Sequence, residues 1–209
     1  MLRKTTALLA LLLLFALPAS AQVPGLAGIG VKGGVDFATI RSDEDDGEIG
    51  YQTDFVVGLY GQVPLANRYL TFQPEVLYAR KGASFESGSN DVNVNLNIDY
   101  IEIPVLLKAN LPLEGQLVPN LYAGPYVSFA VNRESKVSGN GNSATQDLSD
   151  QFSSTDYGLA LGASFDTSLA GYGFTIGGRY DLGLANISDT DSDADASTGT
   201  FMVTLGFAL

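Results

Sequence analysis

The chain has 209 residues, with 11 Lys and Arg against 23 Asp and Glu, no histidine and no cysteine, and a formal charge of −12 at pH 7. Such acidity excludes a nucleic-acid binder, whose phosphate contacts need clustered Lys and Arg. The missing cysteines exclude a disulfide scaffold, thiol catalysis and zinc–thiolate sites.

The start, "MLRKTTALLALLLLFALPASAQ", joins a basic pair, Arg3 and Lys4, to an apolar run from Ala7 to Leu17 and an A-x-A triplet at Ala19-Ser20-Ala21. This is the pattern of a secretory signal peptide over residues 1–21, cleaved after Ala21. The run falls short of the ~20 residues of a membrane-spanning helix. Residues 22–209 are then an exported single domain, more acidic still once Arg3 and Lys4 are gone. No later stretch is long and apolar enough for a helix to cross a membrane, so any crossing must use strands.

Alternation of period two marks eight strands along this domain. The first, 28–40, sets Ile29, Val31, Val35 and Phe37 against Lys32, Gly34, Asp36 and Ala38. "DFVVGLYGQVP" (54–64) places Phe55, Val57, Leu59 and Val63 on one face, and "LTFQPEVLYARK" (70–81) does the same with Leu70, Phe72, Val76 and Tyr78. The fourth strand changes phase: Val92, Val94, Leu96 and Ile98 alternate with polar residues, whereas Ile101, Ile103, Val105 and Leu107 continue on the opposite parity. One extra residue near Asp99 and Tyr100, a β-bulge, would restore a continuous apolar face. The runs 121–131, 156–166, 172–185 and 200–209 complete the set. Long polar connections, near 41–53, 82–90, 133–153 and 186–199, gather at one end, and shorter turns at the other.

An eight-stranded antiparallel barrel is the expected fold. In a soluble barrel of the lipocalin type the apolar face would point inward around a ligand. The opposite face decides otherwise. It carries Lys32, Asp36, Glu75, Glu102, Lys108, Asp166, Arg179 and Asp181 among many Gly, Ala and Ser, a set too small and sparse for a water-facing exterior but suited to the lining of a narrow barrel. The apolar face therefore touches lipid. Aromatics agree: Phe37, Phe55, Tyr78, Phe129, Tyr157 and Phe201 fall near the long-loop ends and Phe72, Phe165, Tyr172 and Phe207 near the short turns, as two membrane-interface girdles require.

"GVKGGVDFATI", "FQPEVLYARKG", "DYIEIPVLLKANLP", "YAGPYVSFAV", "DYGLALGASF" and "GGRYDLGLANI" together resemble the outer-membrane β-barrel family typified by PorT-like proteins of the Bacteroidetes, over nearly the whole exported chain. The most specific elements are Pro74-Glu75 with Tyr78, and Tyr100 with Glu102-Ile103-Pro104. This resemblance implies a transmembrane up-and-down barrel in a Gram-negative outer membrane with both termini periplasmic. It implies insertion by the outer-membrane machinery into outer-membrane lipid, and a periplasmic or secretion-system protein as candidate partner. It supplies no catalytic residues and no cofactor. Leu209 departs from the aromatic that commonly ends outer-membrane strands; Phe207 lies two residues before it.

Enzymatic outer-membrane barrels resemble one another in using histidine, which this chain lacks, and no Ser-x-x-Lys arrangement replaces it. Glu75 and Glu102 are the one carboxylate pair to weigh for glycoside chemistry; the simpler role is to neutralise Lys32, Lys108 and Arg179 in a charge network that plugs the lumen. The expected activity is therefore structural or interactive rather than enzymatic. A ligand- or ion-binding barrel, or a narrow solute pathway, is the alternative. "GVKGG" lacks the Lys-Ser/Thr and following helix of a phosphate loop. Asp189, Asp191, Asp193 and Asp195 in "DTDSDAD" are weak divalent-cation candidates, because the spacing has neither the glycine nor the final glutamate of an EF-hand, Thr200 standing in that last position.

Overall fold

A computed structural model of the chain describes residues 28–42, 50–65, 69–87, 92–111, 116–139, 142–147, 153–185 and 196–208. The expected leader, residues 1–21, lies outside them, as do Asp189, Asp191, Asp193 and Asp195. Nine strands are formed: β1 (Gly28–Ser42), β2 (Gly50–Pro64), β3 (Leu70–Ser87), β4 (Val92–Asn110), β5 (Leu117–Gly139), β6 (Asn142–Asp147), β7 (Thr155–Leu169), β8 (Tyr172–Gly183) and β9 (Ala196–Ala208). Each pairs antiparallel with its neighbour, β9 returns to pair with β1, and β5 pairs with β4 on one side and β7 on the other. Eight of these strands close an up-and-down barrel; β6 extends one hairpin beyond it. Closure leaves the spanning sheet without an edge, so its backbone amides and carbonyls are satisfied without water.

Alternation along the strands separates two surfaces. Ile29, Val31, Val35, Phe55, Val57, Phe72, Val76, Leu107, Leu121, Leu161, Ile176 and Leu205 are exposed on the outside, whereas Asp36, Glu75, Glu102, Lys108, Asp156, Arg179 and Asp181 are buried inside. The aromatics fall into two belts. Phe37 stacks on Phe201 (6.4 Å between centroids) and Phe55 tilts against Tyr78 (5.9 Å) at one level, while Phe207 packs against Tyr172 (5.4 Å) and Phe174 (5.3 Å) at the other.

The rim of long connections differs from the pattern expected, whereas the short-turn rim matches it. Parts of every segment read as a long loop are strand. β3 runs on to Ser87 and β4 starts at Val92, and the expected 133–153 loop is a hairpin in which β5 reaches Gly139 and returns as β6 with Gly139 opposite Asn142. β2 likewise starts at Gly50 within the expected 41–53 loop, and β9 at Ala196. Pairing explains the difference. Polar residues form strands readily when a neighbouring strand takes up their backbone hydrogen bonds, and composition does not report that neighbour. From Phe129 to the tip of β5 the sheet continues for on the order of 30 Å of strand. At the opposite rim β7 and β8 meet in a two-residue turn, Ala170-Gly171, whose φ values are 52° and 87°, the left-handed pair that matches strand twist in a tight hairpin.

The expected bulge occurs, but on the partner strand. Asp99 partners Asn132 and Tyr100 partners Ala130, so Val131 of β5 is the extra residue, while β4 stays in register with β3 through Ala79–Tyr100 and Arg80–Asp99. The parity of β4 is therefore not reset, and Ile98, expected on the lipid face, is buried inside. The reason is the level at which the phase changes. There Arg80 and Asp99 pair at 2.6 Å, with Arg80 over the exposed ring of Phe55, which marks the edge of the apolar belt. Past that edge, apolar residues gain more by turning inward.

Candidate functional site

The lumen gathers the charges that alternation assigned to the inner face. Lys32 of β1 pairs with Glu75 of β3 at 2.5 Å, and Gln73 donates to the same carboxylate at 2.7 Å. Arg179 of β8 crosses the interior to Glu75 (3.0 Å) and to Glu102 of β4 (2.6 Å), and also holds Asp181 two residues along its own strand (2.9 Å). Nearer the short-turn rim, Lys108 pairs with Asp166 at 2.5 Å, and Thr175 donates to the other oxygen of Asp166 at 2.8 Å. Lys32, Glu75, Glu102 and Arg179 are thus joined in one network, and Lys108 belongs to a second, separate pair.

One member of the main network was missed from sequence. Lys81 donates to Glu102 at 2.6 Å, with its ammonium 4.9 Å from the centroid of Tyr126 and 5.5 Å from that of Tyr100. Carrying the alternation of β3 from Glu75 through Leu77 and Ala79 reaches Lys81, so the signal was present. Asp156 is a second omission; it is fully buried and accepts from Thr198 at 2.9 Å.

Burying an ion costs several kcal/mol unless a counter-charge and hydrogen bonds replace its water. Glu102 meets that demand with Lys81, Arg179 and Ser128, the last donating at 3.1 Å. Aromatic rings fill the remaining space. Tyr60, Tyr122 and Tyr126 are directly opposite Gly30, Gly162 and Gly158 on the paired strands. The ring of Tyr122 lies so close to Gly162 that an added Cβ would fall 2.5 Å from its Cε2 and Cζ, and its hydroxyl donates to the Gly178 carbonyl at 3.1 Å.

Chemically, this arrangement neutralises and fills. Three hydroxyls, those of Ser128, Thr175 and Thr198, donate to lumen carboxylates, Glu102, Asp166 and Asp156. Among the described residues no group of three or more acidic residues is placed to hold a metal ion, and no helix is long and apolar enough to cross a membrane.

A closed antiparallel barrel with an apolar exterior, two aromatic belts and a charged interior matches a known family model, "Outer membrane protein beta-barrel domain", over residues 20–189. The chain belongs to this family. As an outer membrane protein β-barrel domain, it is embedded in the outer-membrane lipid of a Gram-negative bacterium. No curated protein matches it in sequence. Solved structures similar to it include Ail, the attachment invasion locus protein of Yersinia pestis, crystallised with the heparin analogue sucrose octasulfate (14% identity, 87% of this chain and 99% of that one, TM-score 0.43). Neisserial surface protein A is similar at 15% identity over 88% and 98% of the two chains, with TM-score 0.49. The outer membrane enzyme PagL is similar at 13% over 84% and 97%, with TM-score 0.40.

Proposed function

We propose that this outer-membrane barrel is a closed, non-catalytic scaffold whose working part is the sheet that β3, β4, β5 and β6 raise beyond the aromatic belt. The observation that carries the reading is Arg179, whose guanidinium binds carboxylates from β3, β4 and β8 at once and obstructs the lumen. With the interior committed to its own side chains, contact with other molecules falls to the rims. In this reading the tall rim faces the cell exterior, where the acidic connections join it, and the described chain ends at Gly28 and Ala208 lie on the periplasmic side. The resemblance to PorT-like proteins supports a secretion-related or docking role for such a surface.

Two experiments test this. Reconstituted protein should give no steady conductance in planar bilayers; regular porin-sized steps would overturn the closed lumen. Because the chain contains no cysteine, single Glu134→Cys and Ser168→Cys variants report the two rims cleanly. A membrane-impermeant maleimide should label the first on intact cells and not the second, and the reverse pattern would invert the orientation.

A further inference from the structure

Five of the strand pairings in the barrel wall are unbroken: β1–β2, β1–β9, β8–β9, β7–β8 and β5–β7. The other three share a defect. Between β2 and β3 the ladder passes from Tyr60–Glu75 to Val63–Phe72, between β3 and β4 from Leu77–Glu102 to Pro74–Val105, and between β4 and β5 from Pro104–Tyr126 to Leu107–Ala123, each time keeping register but omitting two rungs. Prolines explain the omissions. Register sets Pro74 opposite Gly61, Pro104 opposite Glu75 and Pro125 opposite Val105, and a proline has no N–H to give to a facing carbonyl. Proline belongs at sheet edges, and a closed barrel has none. β1, β7, β8 and β9 contain no proline, so the interruptions lie side by side on one part of the wall and are the exception to its closed ladder.

Side chains compensate from inside. Glu75 lies in the β3–β4 gap and Glu102 at its margin, and Arg179 on β8 grips both, at 3.0 and 2.6 Å. Lys81 adds a second tie from β3 to Glu102 on β4 (2.6 Å), and Ser128 one from β5 to the same carboxylate (3.1 Å). The ionic network thus converges on the strands whose backbone pairing is weakest. We infer that the proline seam across β3, β4 and β5 is a hinge in the barrel wall, latched shut from the lumen by Arg179. Where a ladder lacks hydrogen bonds, a sheet opens locally more readily than elsewhere. The same three strands rise into the tall sheet, so the seam is the level at which that sheet moves against the rest of the barrel. The hinge belongs to the wall and not to the lumen, and it stands whether or not the barrel conducts.

Hydrogen–deuterium exchange, followed by mass spectrometry on the refolded exported chain in micelles, tests the hinge. In the wild type, peptides covering 74–77, 103–106 and 124–127 should exchange about tenfold faster than mid-strand peptides covering 159–163 and 176–180, the factor that one net hydrogen bond supplies. Pro125→Val returns an N–H on the outer face, where Pro125 is exposed, and changes no charge; it should slow the β4–β5 peptides toward the β7–β8 rate. Arg179→Lys keeps the positive charge but not the fork that spans Glu75 and Glu102. It should speed the seam peptides by about a further tenfold while leaving 159–163 within about twofold of wild type, as a local opening does. Seam peptides as protected as those of β7 and β8 in the wild type would overturn the hinge. Equal acceleration of every peptide in Arg179→Lys would make Arg179 a stabiliser of the whole fold and overturn the latch. If that variant does not refold, Pro125→Val decides alone, since an unchanged seam rate there would show that the missing amide does not govern opening.

Discussion

Arg179 on β8 donates to Glu102 on β4 across the lumen at 2.6 Å, and the same guanidinium reaches Glu75 on β3, the strand opposite β8 in the barrel, at 3.0 Å. The residues are 77 positions apart in the chain. Their contact locks opposite walls of the barrel together, and it determines what fails first when the lumen is altered.

Replacing Arg179 by Met keeps much of its volume and leaves Glu75, Glu102 and Asp181 without their shared cation. Loss of one partner from a buried ionic cluster costs about 3–5 kcal/mol, so the midpoint of urea unfolding should fall markedly in the refolded protein. Adding Glu102→Gln to Arg179→Met should recover part of that loss, since the stranded charge is removed along with its partner. If the double variant is less stable than the sum of the two single effects predicts, charge compensation is not the role of Arg179.

Gly162→Ala tests the ring packing. The new Cβ would meet Tyr122 at 2.5 Å and the Gly178 carbonyl at 2.6 Å. Overpacking of this kind costs about 1–3 kcal/mol. Tyr122→Leu in the same chain should relieve the ring contact and bring the penalty of Gly162→Ala down, a coupling that a double-mutant cycle on unfolding free energies reads directly.

Much of this lumen was legible because barrel strands obey a period of two: once Ile29, Val31 and Val35 face lipid, Lys32 and Asp36 must face inward. Lys81 was less legible because it lies past Tyr78, the last apolar outer-face position of β3, between Arg80 and Gly82, where no apolar neighbour marks which way it faces. The heights of the strands were not legible at all. Val137 and Ala144, for instance, pair across β5 and β6, but the polar run around them carries no periodicity to announce a hairpin. Nor did the phase change in β4 reveal which strand holds the extra residue, since a bulge is a property of a pair and only the register of Asp99 with Asn132 shows it.

The β7–β8 turn offers a gain rather than a loss. Ala170 has φ of 52°, where its Cβ crowds the backbone at a cost of about 1 kcal/mol, a cost that Asn tolerates better. Ala170→Asn should therefore raise stability by about 0.5–1 kcal/mol, with no change in denaturant dependence. Ala170→Pro, which fixes φ near −65°, should prevent formation of this turn and lower the yield of heat-modifiable barrel.

The outer surface gives the sharpest contrast between neighbouring positions. Leu205 on β9 is 64% exposed and Thr204 beside it is buried; in water the first would tolerate a charge and the second would not. In lipid the expectation for Leu205 reverses. It lies opposite Gly33 on β1 and Ile176 on β8, within the apolar band that Phe201 and Phe207 bracket on the same strand. An arginine there must either leave its guanidinium in hydrocarbon or stretch toward an interface, at about 2–4 kcal/mol near the midplane. Leu205→Arg should accordingly reduce folding into phosphatidylcholine vesicles by that amount, measured from the unfolding midpoint in guanidinium. Leu169→Arg, equally exposed but at the turn rim, should cost less than about 1 kcal/mol by the same depth dependence. Equal and small effects at both positions would mean that the apolar exterior does not face lipid, and the orientation of the whole sheet would have to be redrawn.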